Sequence, residues 1–310
     1  MSFNIESPLI VILGPTASGK TNLAVQIADK FSGEIISADS RQIYRGMDIG
    51  TGKDLAEYKL NEKLISYHLI DILQPSQDYS VFHFQQDFKQ IYEDVLEKKS
   101  LPILCGGTGL YIESILLNYD MAEVPPNHDL RNILERKSHE ELIEKLKKLN
   151  LELHNTSDLS SKKRTIRAIE IGLSKESIKQ KTENEHFRQF NFCVIGIAPE
   201  RKIVRKRITD RLKLRLENGM IDEVEDLLKN GLPRERLDYF GLEYKFIGKF
   251  LNGDLNYNDM FQKLNTSIHQ FSKRQMTFFR RMEKRGIQIN WINEPIMKLA
   301  EPVLSNYFPG

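Results

Sequence analysis

The chain has 310 residues, of which 40% are hydrophobic and 28% are charged, with a formal net charge of +2 at pH 7. This composition is typical of a globular protein with one large domain and a smaller one. No stretch approaches the roughly 18 consecutive apolar residues of a membrane span, and no signal-peptide pattern begins the chain. We therefore exclude a membrane protein and expect a cytoplasmic one. Acidic side chains outnumber basic ones in the first 120 residues, so the basic surplus lies in the remainder.

The first predicted element is an apolar strand over residues 9–13, followed by a glycine-rich loop and a helix over residues 20–31. The loop fits the phosphate-binding pattern G-x-x-x-x-G-K-[ST], and the flanking strand and helix favour this reading over a chance turn. Backbone N–H groups and the helix N-terminus would surround an anion, while the lysine adds charge and Thr21 reaches a bound Mg²⁺. We expect the phosphate groups of a ligand to contact Gly14, Pro15, Thr16, Ala17, Ser18, Gly19, Lys20 and Thr21.

Further strands are predicted at residues 34–37, 69–73 and 101–105, with a helix over residues 82–99. This alternation indicates the α/β class, with a parallel sheet that carries helices on both faces. Since no Cys-x-x-Cys or Cys/His spacing is present, we interpret the two cysteines, Cys105 and Cys193, as buried thiols rather than as a metal site or disulfide.

Polar residues follow two of these strands, where the carboxyl edge of a parallel sheet faces the ligand crevice. Asp39, Ser40 and Gln42 come after the second strand, which brings Asp39 close enough to the phosphate loop to act as a general base or an Mg²⁺ partner. The alternative is that Asp39 caps the next helix. The turn C-G-G-T-G-L-Y at residues 105–111 falls on the same edge and either admits a substrate or simply makes a tight turn.

The pattern changes after residue 120 to charged, leucine-spaced helices through about residue 173 and then a polar stretch over residues 174–188. A strand at residues 192–198 needs a sheet, so we predict a core of residues 1–120 and 189–310 interrupted by a helical insertion, residues 121–188. Helices follow from about residue 200 to 285, and a last strand is predicted at residues 287–292.

The stretch of residues 271–285 carries six Lys/Arg and one Glu, with three phenylalanines between them. Such a stretch can bind a phosphate backbone. The alternative is an amphipathic helix that packs Phe271, Phe278 and Met282 on the core. Composition alone leaves both interpretations open.

Taken together, these motifs resemble tRNA dimethylallyltransferases, also called tRNA isopentenyltransferases. The resemblance covers about residues 9–292 and rests on G-P-T-A-S-G-K-T, S-A-D-S-R-Q-I-Y-R-G-M-D-I-G-T-G-K, H-L-I-D-I-L, G-G-T-G-L-Y, R-A-I-E and K-R-Q. It implies a P-loop NTPase-like sheet with an inserted helical domain that contacts tRNA. It also implies transfer of a prenyl group from dimethylallyl diphosphate to N6 of the adenine just 3′ of the anticodon. The expected partners are the tRNA anticodon stem-loop and this donor, with Mg²⁺ as cofactor and no membrane, and we expect a monomer.

The resemblance also implies roles for individual residues. Asp39 would take the proton from the nucleophile, while Lys20, Arg211 and Arg207 would stabilise the departing diphosphate, together with Mg²⁺ held partly by Thr21. For Arg207 and Arg211, ion pairs with neighbours such as Asp210 and Glu217 are the alternative. The residues predicted to contact tRNA are Asp39, Ser40, Arg41, Gln42, Thr108, Arg164, Arg167, Lys273, Arg274 and Gln275.

The chain departs from the family pattern near F-G-L-E-Y-K, where Tyr244-Lys245 replaces Tyr-Arg and Glu243 stands where glycine is usual. Gly-Lys-Asp-Leu at residues 52–55 replaces a stretch with proline after the lysine. Three rival functions stay open: an adenylate isopentenyltransferase that acts on free AMP, ADP or ATP, a small-molecule kinase of the same loop class, and an NTP-dependent switch.

Overall fold

The computed structural model of the chain describes residues 6–119, 121, 123–149, 159, 161–178 and 190–308. The chain divides into two compact units, one of residues 1–117 with 189–310 and one of residues 118–188. Among the helices described, none combines the length and the apolar character needed to cross a membrane.

The larger unit is built on a parallel sheet. The described strands are β1 (Pro8–Leu13), β2 (Gly33–Ala38), β3 (Lys59–Leu60), β4 (Lys63–Leu64), β5 (Tyr67–His68), β6 (Leu101–Gly106), β7 (Asn191–Ile197) and β8 (Asn290–Ile292). The main sheet has the order β5-β2-β6-β1-β7-β8 and is parallel at each pairing, while β3 and β4 form a small antiparallel hairpin. The predicted α/β fold is therefore confirmed.

Helices cover both faces of this sheet and extend into a C-terminal helical layer. The described helices are α1 (Lys20–Phe31), α2 (Val81–Glu97), α3 (Gly109–Leu116), α4 (His128–Glu135), α5 (His139–Lys148), α6 (Lys162–Ile178), α7 (Arg201–Glu217), α8 (Met220–Lys229), α9 (Leu237–Phe240), α10 (Leu242–Leu251), α11 (Tyr257–Lys284) and α12 (Met297–Tyr307). Short 3-10 turns lie at Leu55–Tyr58 and Arg234–Arg236.

Strand β1 shows why the sheet is central. All six of its residues are buried, and side chains of a strand alternate between the two faces of a sheet. Ile10 and Ile12 pack in one hydrophobic cluster with α1 and α12, whereas Leu9 and Val11 pack in a second cluster with α2 and α11. A third cluster joins residues 43–47 to helices α7, α8, α10 and α11. Cys105 and Cys193 are buried free thiols, as predicted.

Two predicted strands are wrong in extent. The strand expected at residues 69–73 occurs as β5, Tyr67–His68, because Leu69 and Asp71 have φ angles of 60° and 56°, which end extended structure. The last strand covers Asn290–Ile292 rather than residues 287–292. Both segments were assigned from apolar composition, which does not report backbone angles.

The smaller unit is helical where it is described. Helices α4, α5 and α6 pack around Leu134, Leu142, Leu146 and Ile169, and α5 begins with a capping box between Ser138 and Glu141. Helix α6 continues to Ile178, so the stretch predicted to be polar begins inside a helix. Its remainder, residues 179–188, lies outside the described residues.

Candidate active site

The phosphate loop, residues 14–21, joins β1 to α1 and leaves the start of that helix open. A Cβ at Gly14 would come within 2.7 Å of the Ile197 carbonyl oxygen, so only glycine fits there. Gly19, with φ of 91°, is the N-cap of α1 and offers no side chain to its N–H groups. Ser18 is fully buried, and its Oγ has no hydrogen-bond partner within the described residues. Such a loop is prepared to bind an anion.

Two cations converge on this loop. The Lys20 ammonium donates to the Pro15 carbonyl oxygen at 2.9 Å, and burial lowers its pKa while Cys105 and Asp39 oppose that shift. Arg211, from the middle of α7, donates a hydrogen bond to the Thr16 hydroxyl. Burial and the neighbouring Arg215 lower the pKa of Arg211 to about 10, so it stays charged at neutral pH. Positive charge is therefore concentrated on one side of the loop.

Helix α7 contributes three arginines to the same pocket at four-residue spacing, Arg207, Arg211 and Arg215. Arg215 is buried and pairs with Asp54 at 3.1 Å. Its guanidinium packs so close to Gly52 that a Cβ at this position would collide with it. The sequence prediction missed Arg215, although the four-residue spacing after Arg211 was a usable signal. Asp210, considered as an ion-pair partner of Arg207 and Arg211, pairs instead with Lys206 at 2.6 Å.

Asp39 comes directly after β2, on the pocket wall. Its Oδ1 accepts a hydrogen bond from the backbone N–H of Arg41 at 2.9 Å, which closes a local turn. The interpretation of Asp39 as a helix cap is wrong, because the residues that follow form turns rather than a helix. The carboxylate is thus held at the carboxyl edge of the sheet beside Lys20.

The neighbours of Asp39 are held by two other loops. Thr108, in the glycine-rich turn after β6, accepts a hydrogen bond from the backbone N–H of Ser40 at 3.1 Å. Gln42 donates to the Gly52 carbonyl oxygen at 3.0 Å and accepts from the Ser37 hydroxyl at 3.4 Å. The segment that carries Asp39 is therefore fixed on both sides.

Gln275 has a structural role that sequence reasoning missed. Its side-chain oxygen accepts from the backbone N–H of Thr16 and its nitrogen donates to the Gly107 carbonyl oxygen, both at 2.9 Å. The buried amide thus ties the phosphate loop to the turn after β6. A tRNA contact by Gln275 stays a prediction.

A cavity of about 1070 Å³ collects these groups within the larger unit. The residues predicted for the site that line it are Thr16, Ala17, Gly19, Lys20, Thr21, Asp39, Ser40, Arg41, Gln42, Thr108, Arg207, Arg211, Arg274 and Gln275. Gly14, Pro15 and Ser18 are buried in the loop itself, and Lys273 is exposed on α11. Phe271, expected on the core, is 41% exposed and lines the cavity with Phe278, whereas Met282 is buried as expected.

Four carboxylates in the cavity wall were not assigned from the sequence, namely Asp54, Glu57, Asp238 and Glu243. Burial and the charge of Asp54 raise the pKa of Glu57, whereas Arg211 and the nearby Thr21 hydroxyl oppose this shift. Burial also raises the pKa of Glu243, despite the opposing charges of Arg215 and Arg211. Within the described residues no group of three or more His, Cys, Asp and Glu side chains is arranged to hold a metal ion.

Arg164 and Arg167 lie on α6 in the smaller unit and are not among the residues that line the cavity. Arg167 donates to the Val124 carbonyl oxygen at 2.8 Å and pairs with the buried Glu170. Although burial opposes its charge, hydrogen bonds from Arg131, the Asn127 N–H and Arg167 lower the pKa of Glu170 to about 2. Arg167 therefore stabilises the smaller unit itself. Contacts of Arg164 and Arg167 with tRNA stay predictions.

The comparison with known families decides the class of the protein. The family model described as IPP transferase matches residues 42–282. The chain belongs to the IPP transferase family. It is therefore an enzyme, a transferase of a family that modifies tRNA. The family model begins after the phosphate loop, so the loop supports this assignment independently.

Relatives along the whole chain agree. A tRNA dimethylallyltransferase 1 of Geotalea uraniireducens is 51% identical over 97% of this chain and 98% of its own length. A tRNA dimethylallyltransferase 2 of Trichlorobacter lovleyi is 52% identical over 97% of both chains. The crystal structure of the full-length tRNA isopentenylpyrophosphate transferase from Bacillus halodurans superposes with a TM-score of 0.70 and 29% identity, over 98% of this chain and 97% of that one.

Proposed function

We infer that this IPP transferase family member is a tRNA dimethylallyltransferase. It transfers the five-carbon group of dimethylallyl diphosphate to N6 of the adenosine on the 3′ side of the anticodon and releases diphosphate. The observation that carries this proposal is the cationic cradle, in which Arg211 donates to Thr16 while Lys20 enters the same loop from α1. An anion with two phosphate groups matches a loop that has both a free helix start and two fixed cations.

The reaction requires that the protein remove a proton from the amine and stabilise the departing diphosphate. The N6 amine forms a bond to the allylic carbon as the bond from that carbon to the diphosphate oxygen breaks, and the amine loses a proton. Asp39 accepts this proton, because its carboxylate is held on the cavity wall by the Arg41 N–H. Lys20, Arg211 and Arg207 stabilise the negative charge that grows on the leaving oxygen, which lowers the barrier because this charge is largest in the transition state.

The cradle also fits a magnesium ion. Mg²⁺ in phosphate-binding sites takes one or two protein oxygens and completes its coordination with phosphate oxygens and water. The Thr21 hydroxyl lies beside the Glu57 carboxylate, and the Ser18 hydroxyl is buried without a partner among the described residues. Oxygen atoms that can bind a metal ion are therefore available in the loop and beside it. We propose that Thr21, with Glu57 near it, holds the ion. When bound, Mg²⁺ would supply charge neutralisation to the diphosphate.

Another part of the cavity lining is suited to RNA. Ser40, Gln42 and Thr108 present polar groups next to Asp39, where an adenine extruded from the anticodon loop would be read. Arg274 and the exposed Phe271 add a cation and a stacking surface from α11. We propose that Lys273 and Arg274 contact the tRNA backbone, and that the smaller unit adds contacts through Arg164 and Arg167.

We propose that the active unit is a monomer. A tRNA substrate supports the expected cytoplasmic location. Sedimentation of the purified protein, free and with tRNA, measures the oligomeric state.

One assay separates the proposed function from its rivals. The protein is incubated with labelled dimethylallyl diphosphate, Mg²⁺ and either unmodified tRNA that has an A-A-A run beside its anticodon or free AMP. Label in tRNA alone supports the proposal, whereas label in AMP indicates an adenylate isopentenyltransferase. ATP turnover without any prenyl transfer would indicate a kinase or a switch and would contradict the proposal.

A further inference from the structure

Arg41 is a cation on the cavity wall that the mechanism above does not use. Its guanidinium carbon is 5.1 Å from the ring centroid of Tyr239, within range of a cation–π interaction. Within the described residues its side chain makes no salt bridge, and the turn involving Asp39 uses only its backbone N–H. The five N–H donors of Arg41 are therefore available to a ligand.

Tyr239 is held rigidly in place behind Arg41. Its hydroxyl donates to the Tyr79 carbonyl oxygen at 3.2 Å and lies 3.0 Å from the hydroxyl of the buried Tyr44. Burial, and then the hydrogen bond to Tyr239, raise the pKa of Tyr44, so Tyr44 stays protonated at neutral pH. Tyr239 is nevertheless 36% exposed, so its hydroxyl is anchored while part of its ring can support a side chain.

A second arginine near the same ring is already satisfied. The guanidinium of Arg236 is 5.4 Å from the Tyr239 centroid and pairs with Asp78 at 3.0 Å. It also donates to the carbonyl oxygens of Pro75 and Gln77, each at 3.0 Å. Arg236 therefore stabilises the surface, whereas Arg41 makes no ion pair within the part of the chain that the structure describes.

Arg41 belongs to a different part of the cavity from the phosphate cradle. Its charge acts on Tyr44 and Tyr111, lowering their pKa values against the larger effect of burial, whereas the charge of Arg211 acts on Lys20. Arg41 belongs to the same segment as Ser40 and Gln42, the residues proposed to read the adenine, and all three line the cavity.

We propose that Tyr239 is a positioning residue that holds Arg41 ready to bind a backbone phosphate of the tRNA anticodon loop next to the extruded adenine. A guanidinium stacked on a ring keeps its edge donors free, and two of them match a phosphate. This inference rests on the proposed tRNA substrate but not on prenyl transfer.

The test measures equilibrium binding of a labelled anticodon stem-loop over a range of salt concentrations, with no prenyl donor present. Arg41→Ala should lower the slope of log affinity against log salt by about 0.7, the value for one phosphate on a single strand. Tyr239→Leu should weaken binding about 2- to 5-fold by removing the ring. Tyr239→Phe keeps the ring and should bind more tightly than Tyr239→Leu. Arg234→Ala, an exposed arginine of the same segment without an aromatic contact, is the matched control and should leave the slope unchanged.

The double variant Arg41→Ala, Tyr239→Leu decides whether the ring acts through Arg41. It should bind no more weakly than Arg41→Ala alone, with thermal melting used to confirm that each variant is folded. Additive losses, or an unchanged affinity in Tyr239→Leu, would overturn the positioning role. A rise in the KM for dimethylallyl diphosphate rather than for tRNA would place Arg41 on the wrong ligand and also overturn it. A wild-type protein that binds no stem-loop would instead contradict the proposed function.

Discussion

The side-chain oxygen of Gln275 accepts a hydrogen bond from the backbone N–H of Thr16 at 2.9 Å, although 259 positions separate the two residues along the chain. The same amide donates to the Gly107 carbonyl oxygen. Helix α11 thereby fixes the distance between the phosphate loop and the turn that supports Ser40. The site is therefore assembled by a helix that follows most of the larger unit in sequence.

Replacing this amide should loosen the loop. Gln275→Leu leaves the Thr16 N–H and the Gly107 carbonyl oxygen without this partner, at about 1–3 kcal/mol for each buried group. We expect a lower free energy of unfolding in urea and a lower kcat for prenyl transfer. Gln270→Leu, on an exposed position of the same helix, is the control and should behave like the wild type. Equal effects of the two substitutions would remove the bridging role.

Asp39→Ala should reduce turnover by about 10²-fold or more if the carboxylate is the general base. Asp39→Asn, which keeps an oxygen for the Arg41 N–H, should lose as much activity, because the amide cannot accept the proton. Initial rates with saturating donor and tRNA measure both. Near-normal turnover of Asp39→Asn would reduce Asp39 to the residue that closes its turn.

Arg211→Ala should lower kcat by about 10²- to 10³-fold, the usual loss when one donor to a developing negative charge is removed. Inhibition by inorganic diphosphate should weaken in parallel, since the product occupies the same cradle. Lys213→Ala, an exposed position two residues along α7, is the matched control. Unaltered inhibition by diphosphate in Arg211→Ala would argue against the cradle.

Glu223 holds the loop of residues 48–50, whose Gly50 lines the cavity. Its carboxylate accepts from the backbone N–H groups of Asp48 and Ile49, both at 2.7 Å, from the Gly50 N–H at 3.0 Å and from the Tyr244 hydroxyl at 2.7 Å. We expect Glu223→Gln to lower the free energy of unfolding by about 3 kcal/mol, because bonds to a charged acceptor are lost and the amide nitrogen faces N–H donors.

Tyr244→Phe removes one of these four donors and should cost about 1 kcal/mol. Glu225→Gln, two residues further along α8 on the surface, should change stability by less than about 0.5 kcal/mol. Chemical denaturation of the three variants gives the order. If Glu223→Gln lowered the free energy of unfolding no more than Glu225→Gln does, this would contradict the role of Glu223 in holding residues 48–50.

The smaller unit should lose stability in acid. The pKa of Glu170 is about 2 in the folded protein, below its ordinary value of 4.5, so its charged form stabilises the fold above pH 4.5. That contribution is lost as pH falls from about 4.5 towards 2. Amide hydrogen exchange of α4 and α6 over this range measures the effect. Glu170→Gln should be less stable at neutral pH and should lack the part of the pH dependence that Glu170 supplies; the same profile in both proteins would contradict the assignment.

The sequence by itself determined the class of the fold and the location of its chemistry. An apolar run before G-P-T-A-S-G-K-T requires a buried strand, and the glycines and lysine require an anion, because these preferences arise within a few residues. The position of Asp39 at the carboxyl edge followed from the same local logic. Local patterns therefore placed Lys20, Thr21 and Asp39 on one cavity wall.

Only the tertiary structure decided which distant groups complete the site. No local sequence pattern indicates that Gln275 bridges two loops or that Arg41 stacks on Tyr239. Both contacts join segments that are far apart in the chain. The strand expected at residues 69–73 was wrong for the same reason. Its apolar side chains are consistent with a strand, but pairing with β2 stops at His68 and the chain then turns to reach Tyr44. Hydrophobic pattern reports burial, whereas these contacts depend on how separate elements meet.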